Sequence, residues 1–490
     1  MQTRRDQLHA YRFMTRRAMS ALVTGEPDTV EPPMRRLVVM TLSGVMVAIA
    51  VAAVFAIIGL LRPGGGDQWK AEGVVIVERD TGARYVILGE ELHPVLNYPS
   101  AVLASGSQGK VKVELVRSDK LDELPPGDTI GIAGLPDSVP SEESLIQAPV
   151  VLCSQSASAE GNASARTEVS LEVGTGEAPD PLPDGTGVLV TTLTSSGEPD
   201  ESSLLLGGVR YPIANERVED ALFSADQAVP VGRSFLAALP VSPTPLAPLE
   251  VPGRGQPVQV AGRALEVGQL VTSDTDPEDQ RVVVGEDSLI PVTSLQAELL
   301  LALPQREQPA PPVSLPEADI VEAAPSDEQV ADFNDLTRGL PDATPELSDD
   351  AVDQVGVCAT FDGRDGGGEP AVLGVPRTDP ATRPPTADGP NATAGLVDRV
   401  DVRTGSGLLA RTPQAAAVNL VLGPGLRFPA TDLATLGGFG YSEDQVQTLP
   451  DELVAVIPDG PGFDREDARR PQVLDPGAEE PAPVAGAAGS

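Results

Sequence analysis

Four times along the chain, three apolar residues in a row are followed at once by glycine. The triplets are Val86-Ile87-Leu88, Leu204-Leu205-Leu206, Val282-Val283-Val284 and Leu420-Val421-Leu422, and the glycines are Gly89, Gly207, Gly285 and Gly423. A few residues on stands a proline (Pro94, Pro212, Pro291, Pro429). Three residues past each proline comes a residue suited to open a helix: Asn97, Asn215, Ser294 and Asp432. The pattern predicts a buried strand that ends in a glycine turn, then a short extended return whose proline keeps its predecessor extended. A helix follows, its first free amides met by the N-cap side chain. Leu103, Leu222, Leu300 and Leu436 would carry that helix back onto the strands. One match would be noise. Four in the same order predict a repeated β-β-α unit. The prolines are unevenly spaced, which is wrong for a stacked solenoid. Material must be inserted after the first unit and before the last.

Ahead of the repeats the polarity pattern changes. Leu37–Leu61 carries no charge and would span roughly 37 Å as a helix, enough to cross a bilayer with some tilt. Arg4, Arg5, Arg12, Arg16, Arg17, Arg35 and Arg36 precede it, with only Asp6, Glu26, Asp28 and Glu31 among them. The positive-inside rule therefore places 1–36 in the cytoplasm and the acidic bulk on the far side. A cleaved signal peptide is the rival, but "IIGLLRPGGG" lacks a small-residue cleavage site. Within 4–23, Leu8, Tyr11, Ala18 and Leu22 share one helical stripe, with arginines on the other faces. This helix suits either the anionic inner leaflet or a cytoplasmic partner. Arg4, Arg5, Leu8, Tyr11, Arg16 and Arg17 are its candidate docking residues. Trp69, at the end of a Gly-rich spacer, is expected as an interfacial ring.

Composition narrows the function. With 72 acidic against 34 basic residues the net charge is −38, a surface that repels phosphate backbones and argues against nucleic-acid binding. Aromatic residues make up only 3%, so no ring-lined sugar or base cleft is expected. Two cysteines and two histidines are too few for a four-ligand zinc site of the usual kind, and no metal or cofactor is expected. The cysteines lie in the apolar stretches "APVVLCSQ" and "VGVCATFDG", one in each insertion. Both read as buried strands, and together they suggest a separate core module between the repeats. Outside the membrane Cys153 and Cys358 could form a disulfide; the alternative is two buried thiols acting as small apolar residues.

No phosphate-loop, Gly-x-Ser-x-Gly or His-Glu-x-x-His motif occurs, and "GSQGKV" (106–111) reads as a turn. His93 precedes Pro94, where the other units place Tyr211, Ile290 and Phe428, so it is expected to pack rather than to catalyse. The sequence offers no catalytic site. Asn162 and Asn391 open glycosylation-type triplets, short enough to arise by chance.

The leader "RRDQLHAYRFMTRRAMSAL", the "MRR" before the apolar run and "GARYVILGEELHPVLNYPSAVL" after it resemble the EccB family, membrane component B of actinobacterial type VII (ESX) secretion systems. The resemblance implies an α+β protein: a single N-terminal transmembrane helix, then an elongated exported region of four related repeat domains around a central β-rich core. A disulfide, here Cys153–Cys358, would staple that core. It also implies partners: other type VII membrane subunits, among them an FtsK/SpoIIIE-type ATPase, in a self-associating hetero-oligomer that exports WXG100-type proteins. ATP hydrolysis has been suggested for the family, but no residue here matches a nucleotide motif. The acidic, Pro-rich stretches 305–350 and 363–395 depart from the family pattern.

The expected layout is a cytoplasmic helix (1–36), anchor (37–61), spacer (62–70) and first repeat (71–146). Core segment one (147–182), repeat two (183–255), repeat three (256–304) and a Pro/Glu-rich linker (305–350) with a short helix near Glu328–Leu336 come next. Core segment two (351–402), repeat four (403–465) and a disordered tail (466–490) complete it. The expected function is structural, an assembly and scaffold subunit of an inner-membrane translocon. The alternatives are an envelope-polymer binding module or, less favoured, a nucleotide hydrolase.

Overall fold

The structure is a computed structural model. It describes residues 4–27, 34–61, 67–107, 109–147, 149–157, 166–175, 178–224, 227–276, 280–303, 310–363, 371–377, 395–423 and 425–472. Asn162, Asn391 and most of the 363–395 and 466–490 stretches lie outside the described residues. The chain divides into two compact units, Met1–Ala71 and Glu72–Ser490.

The first unit holds α1 (Arg4–Thr24) and α2 (Met34–Leu61), then a 3-10 turn, Asp67–Lys70. Val38–Ile57 of α2 is long and apolar enough to cross a membrane, and none of it is buried by protein. Trp69, expected as an interfacial ring, is 5% exposed, with the Lys70 ammonium 5.1 Å from the ring centroid.

In the second unit, β1 (Val74–Glu78), β2 (Arg84–Leu88), β3 (Glu91–Val95), α3 (Tyr98–Ser105), β4 (Lys112–Val116) and α4 (Ser118–Leu121) come first. Then β5 (Val150–Ala157), β6 (Arg166–Val173) and β7 (Asp180–Pro181) precede β8 (Val188–Leu193), β9 (Pro199–Leu206), β10 (Val209–Pro212), α5 (Glu216–Leu222), β11 (Val229–Val231) and α6 (Arg233–Ala237). A hairpin, β12 (Pro257–Val260) and β13 (Arg263–Glu266), leads to β14 (Leu270–Ser273), β15 (Arg281–Val284), β16 (Leu289–Pro291), α7 (Ser294–Leu301), β17 (Val313–Leu315), α8 (Glu317–Glu322) and α9 (Asp327–Leu336). The chain continues through α10 (Asp349–Asp353), β18 (Gly356–Phe361), β19 (Val372–Val375) and β20 (Arg399–Val402). Last come β21 (Gly407–Arg411), β22 (Val418–Leu422), β23 (Leu426–Ala430), a 3-10 helix (Leu433–Phe439), β24 (Val446–Thr448), α11 (Asp451–Ala455) and α12 (Arg465–Ala468).

Four sheets share one strand order: β3-β2-β1-β4, β10-β9-β8-β11, β16-β15-β14-β17 and β23-β22-β21-β24. In each, three antiparallel strands are followed by a helical turn and a fourth strand parallel to the first. The predicted β-β-α unit was therefore incomplete. Its fourth strands are three to five residues long, too short to give an alternating signal. The stretch 305–350, read as a linker with a short helix near Glu328–Leu336, contains that helix as α9 together with β17 and α8, and β17 completes the third sheet.

The four prolines lie on β3, β10, β16 and β23, at the outer side of each sheet, where a missing N–H breaks no ladder bond. In the first, second and fourth sheets that outer side is then covered by a proline-led strap. The carbonyls of Pro125, Pro240 and Pro458 accept from the amides of Leu92, Arg210 and Arg427. Further along, the amides of Ile130, Leu246 and Phe463 donate to the carbonyls of Pro94, Pro212 and Pro429. The third sheet begins the same way, with the Leu289 amide on the Ala323 carbonyl, and the chain then turns into α9.

A six-stranded sheet, β20-β6-β5-β18-β19-β7, draws strands from two distant parts of the chain. Its apolar face (Leu152, Leu171, Val357, Phe361) packs with Val188 and Val190 of β8 and with Leu408 and Ala410 of β21. The intervening residues of those strands, Leu189 and Leu409, face two other cores. Leu189 joins one with the third sheet and Leu409 joins one with the first. The second and fourth sheets are thus covered on both faces, which is why their strands read as unbroken apolar runs. Helix α5 packs on α7 and α3 on the 3-10 helix, so the four sheets associate as two pairs, first with fourth and second with third.

Candidate assembly site

Three sets of residues were singled out by the sequence: the leader helix, the repeat signature and the two cysteines. The structure places each in a distinct setting.

On α1, the candidate residues Arg4, Arg5, Leu8, Tyr11, Arg16 and Arg17 are all exposed. Phe13, Met14, Met19 and Leu22 are exposed as well. Arg17 stacks its guanidinium 5.7 Å from the Phe13 ring centroid, and the Ser20 hydroxyl donates to the Glu26 carbonyl at 3.1 Å, fastening the helix end.

The signature residues act largely as local physics requires. Asn97, Asn215 and Asp432 accept from the amides of Ser100, Val218 and Thr435, each three residues on. Asn97 also donates to the Ile132 carbonyl at 2.9 Å, tying its helix start to the strap. Ser294 departs from the expectation. Thr293 is the N-cap of α7, in a reciprocal box with Gln296, while Ser294 sits inside the first turn and donates to the Asp342 carbonyl. Gly89 and Gly207 take left-handed backbone at the hairpin turns. Gly285 and Gly423 do not, and Gly425 takes that conformation in the fourth sheet. Replacing Asn97 by Ala should cost about 1 kcal/mol of stability and Asn97→Ser much less, as read by urea unfolding.

Cys153 and Cys358 sit directly opposite each other on antiparallel β5 and β18, Cα atoms 4.0 Å apart, and are disulfide-bonded. The pair shares a sheet face with Ser170, Glu168 and Glu172 of β6, by alternation along the paired strands. Glu168 and Glu172 belong to a charge cluster that the sequence did not reveal. Arg399 of β20, 3% exposed, places Nη1 2.6 Å from Glu168 and Nε 2.8 Å from Asp401. Asp398 accepts from the Val169 amide at 2.8 Å. Burial pushes the carboxyls of Glu168, Glu172 and Asp398 up, against the pull of Arg399.

An acid whose folded pKa is raised binds its proton sooner in the folded state. It therefore adds stability as pH falls and loses it as pH rises through the folded pKa. Glu78 works the other way, since hydrogen bonds from Ser118 and Thr81 hold its carboxyl down; its contribution is lost only as pH falls through that lowered value. Stability should therefore rise as pH falls through the raised folded values of Glu168, Glu172 and Asp398, just above the ordinary carboxylate range. Glu168→Gln/Glu172→Gln should flatten that rise, whereas Glu317→Gln/Glu322→Gln on exposed α8 should leave it in place.

His93 packs as expected of a ring position. Its Nδ1 lies 2.9 Å from the Asp128 carbonyl, and a Cβ on Gly127 would meet the ring at 2.5 Å. Phe428 bears the same relation to Gly460, at 2.6 Å. Among the described residues no group of His, Cys, Asp or Glu could hold a metal. The straps were missed as well, although an apolar-proline pair opens each one: Leu124-Pro125, Leu239-Pro240 and Ile457-Pro458.

These features define a class: a chain with one membrane-length helix among the described residues, followed by a β-rich unit that contains four sheets of one strand order and a disulfide-bonded sheet. The chain belongs to the family described as Type VII secretion system ESX-1, transport TM domain B, which matches residues 1–473. It is 30% identical over 304 residues to the ESX-3 secretion system ATPase EccB3 of Mycolicibacterium smegmatis, a match covering 60% of this chain and 56% of that relative. The EccB3 dimer from the ESX-3 core complex is 26% identical with TM-score 0.59, over 80% of this chain and 99% of that one. A chain of an intact ESX-5 inner membrane complex has the same fold, with TM-score 0.62 at 22% identity over 99% of this chain and 98% of that one.

Proposed function

We propose that this chain is a structural subunit of a type VII secretion inner-membrane complex. In this reading α1 and α2 hold it in the membrane assembly, with the N-terminus cytoplasmic. The unit from Glu72 onward forms an extracytoplasmic scaffold beside the other membrane subunits, including an FtsK/SpoIIIE-type ATPase, for export of WXG100-type proteins. The observation that carries this reading is a membrane-length helix joined to four sheets of one strand order around a disulfide-bonded sheet, in a chain of this family. We take the four sheets as copies of one repeat, within 71–146, 183–255, 256–350 and 403–472, around a core built from 147–182 and 351–402. The third copy absorbs the stretch first read as a linker, and the fourth extends through its strap to the last described residues. The signature residues Gly89, Pro94, Asn97 and their counterparts set the turn, outer strand and cap of each copy.

The word ATPase in the name of the M. smegmatis relative has no counterpart in a phosphate loop of this sequence. A chain lacking residues 4–23 should still fold and insert, yet fail to co-purify with the other membrane subunits. A fully assembled complex from that deletion would overturn the proposal.

A further inference from the structure

The leader helix has a lipid-facing geometry. At 100° per residue, Leu8, Tyr11, Met14, Ala18, Met19 and Leu22 fall on one side of α1, which they share with Arg4, Gln7 and Thr15, while Phe13 lies opposite. Arg5, His9, Arg12 and Arg16 line one flank of that side, and Arg17 lies on the other; Asp6 is the sole acid in the helix. No described residue covers the apolar side: Leu8 is 52% exposed, Tyr11 72%, Met14 70% and Leu22 86%. The segment from Gly25 to the start of α2 can reach at most about 35 Å even fully extended. Wherever α2 enters the bilayer, α1 is thus confined to the neighbourhood of that membrane face.

An apolar side flanked by arginines, tethered there, matches a surface with hydrocarbon beneath and negative charge at headgroup level. A soluble protein groove would satisfy the apolar side but gives no reason for guanidinium groups on both flanks with so little acid between them. We propose that α1 lies along the cytoplasmic leaflet, its apolar side among the acyl chains and its arginines on anionic lipid headgroups. In that position the helix sets the orientation of the chain at the membrane before any protein partner binds. This rests on reading α2 as a membrane anchor with a cytoplasmic N-terminus, and it names the surface that the leader engages.

The test uses the full chain in nanodiscs of phosphatidylcholine alone or mixed with phosphatidylglycerol, spin-labelled singly through Leu22→Cys or His9→Cys. In the anionic discs the Leu22 label should be several-fold more accessible to oxygen than to a water-soluble nickel chelate, and the His9 label the reverse. In phosphatidylcholine alone the contrast should shrink. The variant Arg5→Gln/Arg12→Gln/Arg16→Gln/Arg17→Gln should lose the contrast in anionic discs while α2 stays inserted. Both labels equally open to the chelate in anionic discs would overturn the proposal. So would protection that develops only when other secretion subunits are added. Loss of co-purification on deleting 4–23, with no lipid contrast at either label, would defeat this inference and leave the translocon reading standing. The converse pair of results would defeat the translocon reading alone.

Discussion

Replacing both cysteines, as Cys153→Ala/Cys358→Ala, should lower the stability of the unit from Glu72 onward by about 3–5 kcal/mol. The disulfide joins residues 205 apart. In the chain-entropy account, a cross-link that closes so long a loop removes a large share of the unfolded ensemble. The native side of the balance changes little. The two residues already face each other across antiparallel β5 and β18, held by ladder pairing from Gly356 with Gln155 to Phe361 with Val150. Small alanines there leave the strands paired and the apolar face filled by Leu152, Val357 and Ala359. The fold should persist, with a lower urea midpoint and a steeper denaturant slope, because the unfolded chain freed of its cross-link exposes more surface. The untreated chain incubated with a thiol reductant should show the same loss, and reductant should have no effect on the double variant. A midpoint equal to that of the parent chain would mean that the bond is not formed.

The second large effect separates two copies of the same position. Phe428→Ala should cost about 3–5 kcal/mol, whereas His93→Ala should cost about 1 kcal/mol. Both rings precede the proline of an outer strand and both cover a strap glycine, Gly460 or Gly127. Phe428, however, is 1% exposed and stands 6.0 Å from the Phe463 ring, which in turn lies 5.9 Å from Phe439. This aromatic group fills the core that the first and fourth sheets share. His93 lies outside that core and contributes a hydrogen bond with the Asp128 carbonyl in place of buried area. Equal costs at the two positions would contradict the packing assigned here.

What could be read from sequence followed the range of the interactions. Asn97, Asn215 and Asp432 cap their helices because a cap is a matter of three residues, and local chemistry is enough to place it. Ser294 was misplaced by one residue because Thr293, which precedes it, caps equally well and has Gln296 three residues on to close the box. The fourth strands and the straps were missed for a different reason. Segments such as "VPV" at 229–231 or "DTIGI" at 128–132 carry no periodicity of their own; the first becomes a strand, and the second bridges β3 at Ile130, only through partners supplied from elsewhere. Arg399 is the extreme case. Along β6 the order Arg-Thr-Glu-Val-Ser-Leu-Glu-Val alternates as a strand with one wet face would. Glu168 and Glu172 are half-buried because β20 pairs alongside, and Asp398, which reaches the Val169 amide, lies 229 residues away. No window of local sequence contains that partner.

Protease added to intact spheroplasts tests the central claim, a scaffold held outside the inner membrane by a retained helix. The account predicts that loop cleavage in the unit beyond Glu72 occurs without permeabilisation. A tag at the N-terminus should stay protected, on a membrane-bound fragment that still contains α1 and α2. Cleavage of that unit only after the membrane is broken, or recovery of the chain free of the membrane and lacking α2, would contradict it.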